Sequence, residues 1–329
     1  MEKIILAGDA GATKTELAVY KCSNGVLNVI SSLKFESKAY SSLIEIIKLF
    51  LNSVGLKPDA ACIGVPGPVI EGKVVSTNIP WQLDEKELSD KLNIPVFKLA
   101  NDLEAAATAI PEMDSKYLAK IYKGKDAAKD GNKMVIAPGT GLGQAILIYN
   151  DGKYNVISNE GGHADFAPTS DIEIELLKFL KAKYGHVSIE RVISGIGILN
   201  IYEFLLTKDE FKDSENFFDD SSIRDIAAKI SEEGIYGKSR ICEKVLEIFV
   251  SSLAELCGSK VLSMNATGGV YLCGGIPPKI LKILFTENFA GSYLNKGRLS
   301  YYIEPVPVYV VTDDSAGLKG AALLALKNL

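Results

Sequence analysis

Apolar residues along this chain follow two rhythms. Short runs rich in Val and Ile, at Lys3–Ala7, Ala60–Val65, Val96–Leu99, Lys133–Ala137 and Val270–Cys273, are bounded by Gly, Pro or Asn, which is the pattern of buried strands. Between them, apolar residues recur every three or four positions over Ser42–Ser53, Leu83–Leu92, Ile223–Ile230 and Ile241–Leu262, which predicts helices. Ser170-Asp-Ile-Glu173 has the spacing of a capping box and predicts a helix to about Tyr184, where Gly185 supplies a stop. Pro277 and Pro278 precede a further helix expected over Lys279–Leu284, and the chain closes on a helix over Ser315–Leu326. Strands alternating with helices predict an α/β fold.

One pattern occurs twice. Gly8-Asp-Ala-Gly-Ala-Thr13 followed by Glu16-Leu-Ala-Val-Tyr20 echoes Pro138-Gly-Thr-Gly-Leu-Gly143 followed by Ala145-Ile-Leu-Ile-Tyr149. Each couples a strand, a tight glycine turn and a second apolar strand, so a duplicated domain is expected. Two such hairpins can supply backbone N–H donors to the phosphates of a nucleotide, because glycine permits the turn and the close approach. Taken alone they are also ordinary hairpin turns. Neither carries the Gly-Lys-Ser/Thr ending of a Walker loop or a dinucleotide fingerprint.

Composition narrows the classes. A chain of 329 residues exceeds the usual single core, so two domains with a cleft are expected. Hydrophobic residues at 47% and charged residues at 23% match a globular protein and argue against disorder. The net charge of −5 provides no global field for nucleic acid or an anionic membrane, so neither is an expected partner. Cys22, Cys62, Cys242, Cys257 and Cys273 show no zinc or redox spacing and read as buried thiols of a reducing compartment. The first residues hold too few apolar positions for a signal peptide, and no run approaches a membrane span, so a cytoplasmic location is expected.

Read in order, Gly8–Thr13, Gly64-Val-Pro-Gly-Pro68, Thr77-Asn-Ile-Pro-Trp81, Asn101-Asp102, Pro138–Gly143, Asn159-Glu-Gly-Gly-His-Ala-Asp-Phe166, Gly185-His-Val-Ser-Ile-Glu-Arg-Val192 and Gly268-Gly-Val-Tyr-Leu-Cys-Gly-Gly275 form a connected set. This set resembles the bacterial hexose-specific glucokinase family of the actin-like sugar kinases, in the family's order and over nearly the whole chain. The resemblance implies a two-lobed actin-like (ribonuclease H-like) ATPase fold with a duplicated domain and an interlobe cleft. The small lobe would cover 1–112 plus 312–329, and the large lobe 113–311. Lobe closure on sugar, hinged near Ile110–Glu112 and Val311–Asp314, is expected to suppress wasteful hydrolysis.

The implied activity is phosphoryl transfer from ATP, with magnesium, to the 6-hydroxyl of glucose. Asp102 is then the general base, a carboxylate able to take a sugar proton, although Asn101-Asp102 alone could equally cap the following helix. Asn101, Glu160, His163 and Glu190 are the implied sugar partners, supplying short donors and acceptors to hexose hydroxyls. His186 reads as structural and Asp165 as a turn residue. Gly8, Asp9, Ala10, Gly11, Ala12 and Thr13, with Gly139, Thr140 and Gly141, are the implied phosphate cradle, and Gly274 and Gly275 lie against adenine and ribose. Asp9, directly after the first strand, would meet magnesium through water. Ala12 stands where the family's hairpin usually has a second glycine, and Lys14 where a smaller polar residue is frequent, which bears on nucleotide affinity. Trp81 reads as a packed aromatic rather than a stacking platform.

The competing readings are a kinase for another hexose or amino-hexose, and a non-catalytic sugar- or ATP-binding protein on the same fold. A clustered-Cys zinc motif would favour the former, and the chain has none. A DNA-reading module would favour a repressor, but the first hairpin begins at Gly8. The resemblance admits a homodimer.

Overall fold

The computed structural model describes residues 2–74, 79, 81–125, 127–214 and 222–329. The chain forms two compact units: Met1–Met113 with Asp313–Leu329 and Val156–Ser158, and Asp114–Asn155 with Asn159–Thr312.

In the first unit the strands are β1 (Lys3–Ala10), β2 (Lys14–Ser23), β3 (Val26–Glu36) and β4 (Ala60–Val65), then the short β5 (Val69–Ile70), β6 (Lys73–Val74) and β7 (Leu83–Asp84), and finally β8 (Val96–Asn101). The main sheet runs β3-β2-β1-β4-β8. β1 pairs antiparallel with β2 and parallel with β4, which pairs parallel with β8. All six residues of β4 are buried, as expected of a central parallel strand covered on both faces. One face is covered by helix α1 (Leu43–Val54), capped by Ser42 and stopped by Gly55 in the left-handed region at φ 69°, which buries Leu43, Ile46, Ile47 and Phe50. The other face carries α3 (Asp102–Ala109) and the C-terminal helix Ala316–Lys327. These two helices meet almost backbone to backbone, since a Cβ on Gly320 would fall 1.6 Å from the Ala105 carbonyl oxygen. That contact fixes α3, and with it Asp102 at the helix start.

The second unit repeats the plan with β9 (Leu118–Tyr122), β10 (Lys133–Pro138), β11 (Leu142–Asn150), β12 (Lys153–Asn159), β13 (Val270–Leu272) and β14 (Val308–Val311), in the order β12-β11-β10-β13-β14-β9. Here β10 pairs antiparallel with β11 and parallel with β13, as β1 does with β2 and β4. The duplication expected from the two glycine hairpins is therefore present in the strand order itself. Helices Asp171–Tyr184, Gly195–Leu206, Ile223–Ile235 and Arg240–Met264 build the large core of this unit around buried Tyr202, Phe249 and Tyr293.

Some boundaries differ from those read off the pattern. The first strand continues past Ala7 to Ala10 because its ladder with β4 runs on to Asp9 opposite Gly64. Leu83 and Asp84 belong to a short strand, and Asp84 accepts from the N–H groups of Lys86 and Glu87 to cap helix α2 (Glu85–Leu92). The helix expected over Lys279–Leu284 is confined to Leu281–Leu284, and the residues before it form a turn in which the Lys279 and Ile280 N–H groups both donate to the Ile276 carbonyl. Among the described residues no helix is long and apolar enough to cross a membrane. All five cysteines are buried, and none is in a disulfide.

Candidate active site

In the first unit the candidate residues collect at the carboxyl edge of three adjacent parallel strands, where open α/β sheets bind ligands. Across the sheet Asp9 lies opposite Gly64, and Gly64 and Val65 lie opposite Ala100 and Asn101. Two strand spacings put the backbones of Asp9 and Asn101 roughly 10 Å apart. Gly64 lies between them, and a Cβ there would stand 3.6 Å from the Asp102 Cα, so its lack of a side chain keeps that space open.

Asn101 caps α3, its Oδ1 accepting from the N–H groups of Leu103 at 3.0 Å and Glu104 at 3.2 Å, while Nδ2 donates to the Gly67 carbonyl at 3.2 Å. Capping is thus an observed role of Asn101, and it ties the Gly64–Pro68 loop to the helix start. Asp102 is the first helical residue, with Oδ1 accepting from the Leu103 N–H at 2.8 Å. Burial raises its pKa, and backbone donors at the helix start oppose that rise. Asp9 is open to solvent, yet surrounding protein, the charge of Asp102 and that of Glu16 push it up to about 6, against a lowering by Lys14.

The hairpin between β1 and β2 closes with the Gly11 N–H donating to the Lys14 carbonyl at 2.9 Å. Ala12, Thr13 and Lys14 are exposed, and none has a positive φ, so alanine at position 12 brings no backbone strain. Gly8 needs its missing side chain, since a Cβ would come within 2.6 Å of Ile63 and 2.7 Å of Leu17.

The second unit holds the other candidates. Between β10 and β11 the Gly139 N–H donates to the Gly141 carbonyl at 2.8 Å, leaving Thr140 exposed at the tip. Gly274 adjoins the base of this hairpin at φ 83°, and a Cβ on it would lie 2.6 Å from the Pro138 carbonyl oxygen. Gly275 next to it faces open space. Glu190 reaches the same hairpin, its Oε2 accepting from the Leu142 N–H at 2.9 Å. Glu160 and His163 share one short turn, Gly161–His163, with His163 Nε2 3.9 Å from Glu160 Oε2 and both side chains largely exposed. His186 contacts Asp165 at 2.8 Å, and Asp165 bridges to Ser188. Thr77, Asn78 and Pro80 of the Thr77–Trp81 motif lie outside the described residues, whereas Trp81 is buried and donates Nε1 to the Tyr40 carbonyl at 3.2 Å.

Three supporting groups escaped the sequence reading. Ser37 is fully buried and braces the first hairpin, its Oγ donating to the Gly11 carbonyl at 2.8 Å and its N–H to the Thr13 carbonyl at 2.9 Å. In the second unit Ser194 caps the helix Gly195–Leu206, and the Gly195 N–H donates to the Gly139 carbonyl at 2.8 Å. The Ser-Gly-x-Gly spacing at a helix start was the available signal. Gln144 is the third, buried on β11 beneath the Gly161–His163 turn.

Comparison with known proteins gives a consistent result. The family model described as glucokinase matches residues 6–328. A glucokinase of Trichormus variabilis is 33% identical, with 98% of this chain and 99% of the relative covered. A glucokinase of Campylobacter jejuni subsp. doylei is 36% identical over 98% of this chain and 94% of its own. Among solved structures, glucokinase from an Antarctic psychrotroph is 31% identical, covers 99% of both chains and superposes with a TM-score of 0.88.

Proposed function

The chain belongs to the glucokinase family of ATP-dependent hexose kinases with the actin-like ATPase fold, and from that premise we propose that it phosphorylates the 6-hydroxyl of glucose with Asp102 as the base. The observation that carries this reading is the pair of carboxylates, Asp9 and Asp102, facing one another electrostatically across Gly64 at the carboxyl edge of the first sheet. In this reading Asp102 takes a proton and Asp9 faces a cation.

In the step itself, the Asp102 carboxylate accepts the proton of the 6-hydroxyl as that oxygen bonds to the γ-phosphorus. The bond from phosphorus to the bridging oxygen breaks, and ADP leaves. Such transfer is governed by positioning and electrostatics. Asn101 borders the sugar beside Asp102, and its capping bonds hold the helix start in place. Glu160, His163 and Glu190 supply partners to the remaining hydroxyls. The backbone of Gly8–Thr13 and of Gly139–Gly141 cradles the phosphates, and Gly274 and Gly275 give adenine and ribose a surface free of side chains.

Magnesium suits Asp9. Burial first, and then the negative charges of Asp102 and Glu16, push this carboxyl up to about 6; a hard cation would offset both, and magnesium usually takes only one or two carboxylates with waters and phosphate oxygens. When bound, it neutralises charge on the transferred phosphoryl group. Five buried cysteines outside any disulfide support a cytoplasmic setting.

The test is Asp102→Ala. Turnover should fall by roughly three orders of magnitude or more while glucose affinity stays within about tenfold, because the base acts chiefly in the transition state. A variant retaining more than about a tenth of wild-type turnover would show that Asp102 is not the base.

A further inference from the structure

Gln144 is 1% exposed, and among the described residues it is the only side chain with buried nitrogen and oxygen atoms that find no hydrogen-bond partner. A buried amide with neither atom paired is costly, and such a group in a native protein calls for a reason: stored strain, a part in ligand binding or catalysis, or a bound water or ion. The amide lies against the turn that carries Glu160 and His163. A Cβ on Gly161 would come within 2.6 Å of Gln144 Oε1 and 2.9 Å of its Cδ. The same Cβ would come within 2.6 Å of Asn159 Oδ1, so two side-chain oxygens converge on one glycine. Only Asn159 is served, by the Gly161 N–H at 2.9 Å. Asn159 is exposed and could exchange that bond for water at little cost, whereas Gln144 cannot.

In this arrangement Glu160 and His163 face each other at 3.9 Å and project into solvent. A hexose held by these two side chains would separate them and reorient the turn. The turn rests directly on β11, because a Cβ on Gly162 would fall 2.1 Å from the Leu142 carbonyl oxygen, so a small rotation changes which backbone groups meet Gln144.

We infer that Gln144 is a positioning residue for the hexose: its buried amide takes up backbone partners from the Gly161–His163 turn when sugar is bound, and so favours the sugar-holding arrangement. The inference rests on the reading of Glu160 and His163 as sugar partners. It gives the amide opposite effects in the two states, destabilising without sugar and stabilising with it. A purely structural glutamine would not behave so.

The experiment compares wild type, Gln144→Met, Gln144→Leu and His163→Ala by calorimetric glucose titration, steady-state kinetics and thermal unfolding with and without glucose. Replacing the amide by an apolar chain of similar volume should raise or preserve Tm without sugar. It should weaken glucose binding about five- to tenfold, as expected for one lost hydrogen bond, with the loss falling on the glucose KM more than on kcat. The glucose-induced rise in Tm should shrink accordingly. Lower Tm without sugar in both variants, or an unchanged glucose affinity in a folded variant, overturns the inference. Should both variants fail to fold, hydrogen exchange on wild type decides: glucose should protect the amides of Gly161–His163, and unchanged exchange there overturns it. Unchanged glucose affinity in His163→Ala would instead remove the underlying sugar-site reading, so the two failures are distinct.

Discussion

The two glycine hairpins occupy equivalent places in two sheets that share a five-strand order, the second with β9 added at its edge, yet they are braced by different chemistry. The first is held from behind by buried Ser37, whose hydroxyl donates to the Gly11 carbonyl and whose backbone N–H donates to the Thr13 carbonyl, and it carries Asp9 two residues before Gly11 opens the turn. The second has no acid at the matching position; Glu190 holds the Leu142 N–H and the Gly195 N–H holds the Gly139 carbonyl. A duplicated scaffold has thus kept a glycine hairpin at the same strand junction, while its closing bond, Gly11 to Lys14 in one and Gly139 to Gly141 in the other, and its side chains differ. One copy carries a carboxylate beside its turn, and the other is tied through its backbone to Glu190 and to the start of a helix.

That division can be broken from either side. The largest effect is expected from Asp9→Asn, which keeps the shape and removes the charge. It should lower kcat/KM on the order of a hundredfold or more, in line with the several kcal/mol a cation supplies to phosphoryl transfer, and raise the magnesium concentration needed for half-maximal rate. Unchanged magnesium dependence would take the cation away from the first hairpin.

Next comes a pair of opposite glycine and alanine exchanges. A Cβ on Gly141 would stand 2.5 Å from Glu190 Oε2, so Gly141→Ala must displace the bond that holds the second hairpin. The expected rise in KM for ATP is roughly ten- to a hundredfold, the scale set by small misplacements of positioning groups. Ala12→Gly in the first hairpin should change the same KM by no more than about twofold, since Ala12 is exposed and its φ is not positive. Equal effects of the two substitutions on ATP kinetics would mean that the hairpins are not braced differently.

Much of this asymmetry could not be read along the chain. Strand positions, the repeated turn and the Asn101-Asp102 pair follow from local pattern, because burial and turn chemistry are set by neighbouring residues. The bracing contacts join residues far apart: Ser37 and Gly11 are separated by 26 positions, Glu190 and Leu142 by 48. Nothing in the periodicity of either segment marks them. Asn101 shows a second limit, since capping and ligand contact draw on the same residue type at the same strand end, and its Oδ1 does cap α3. Gln144 shows a third, because a polar residue within an apolar strand signals little until its lack of a partner is seen in three dimensions.

The smallest expected effect is on stability and lies away from either hairpin. Burial and the nearby charge of Glu173 push Glu255 up to about 7, against a lowering by the Thr169 hydroxyl that donates to it and by Lys296. The folded state therefore holds this proton where the unfolded chain, titrating near 4.5, has released it. Stability from this group is full below that lower value and is lost as pH rises towards 7. Glu255→Gln keeps a neutral side chain at every pH, so its Tm relative to wild type should climb between pH 4.5 and 7 and level off above. A difference that is flat with pH would show that Glu255 ionises normally in the folded protein.

Phosphorus NMR of the reaction mixture with ATP, magnesium and glucose reads out directly whether the γ-phosphoryl group passes to the 6-hydroxyl of glucose. Glucose 6-phosphate should form in step with ADP, with little free phosphate, and 6-deoxyglucose should yield no sugar phosphate. A phosphate on another hydroxyl, or ADP and free phosphate accumulating without any sugar phosphate, would contradict the account.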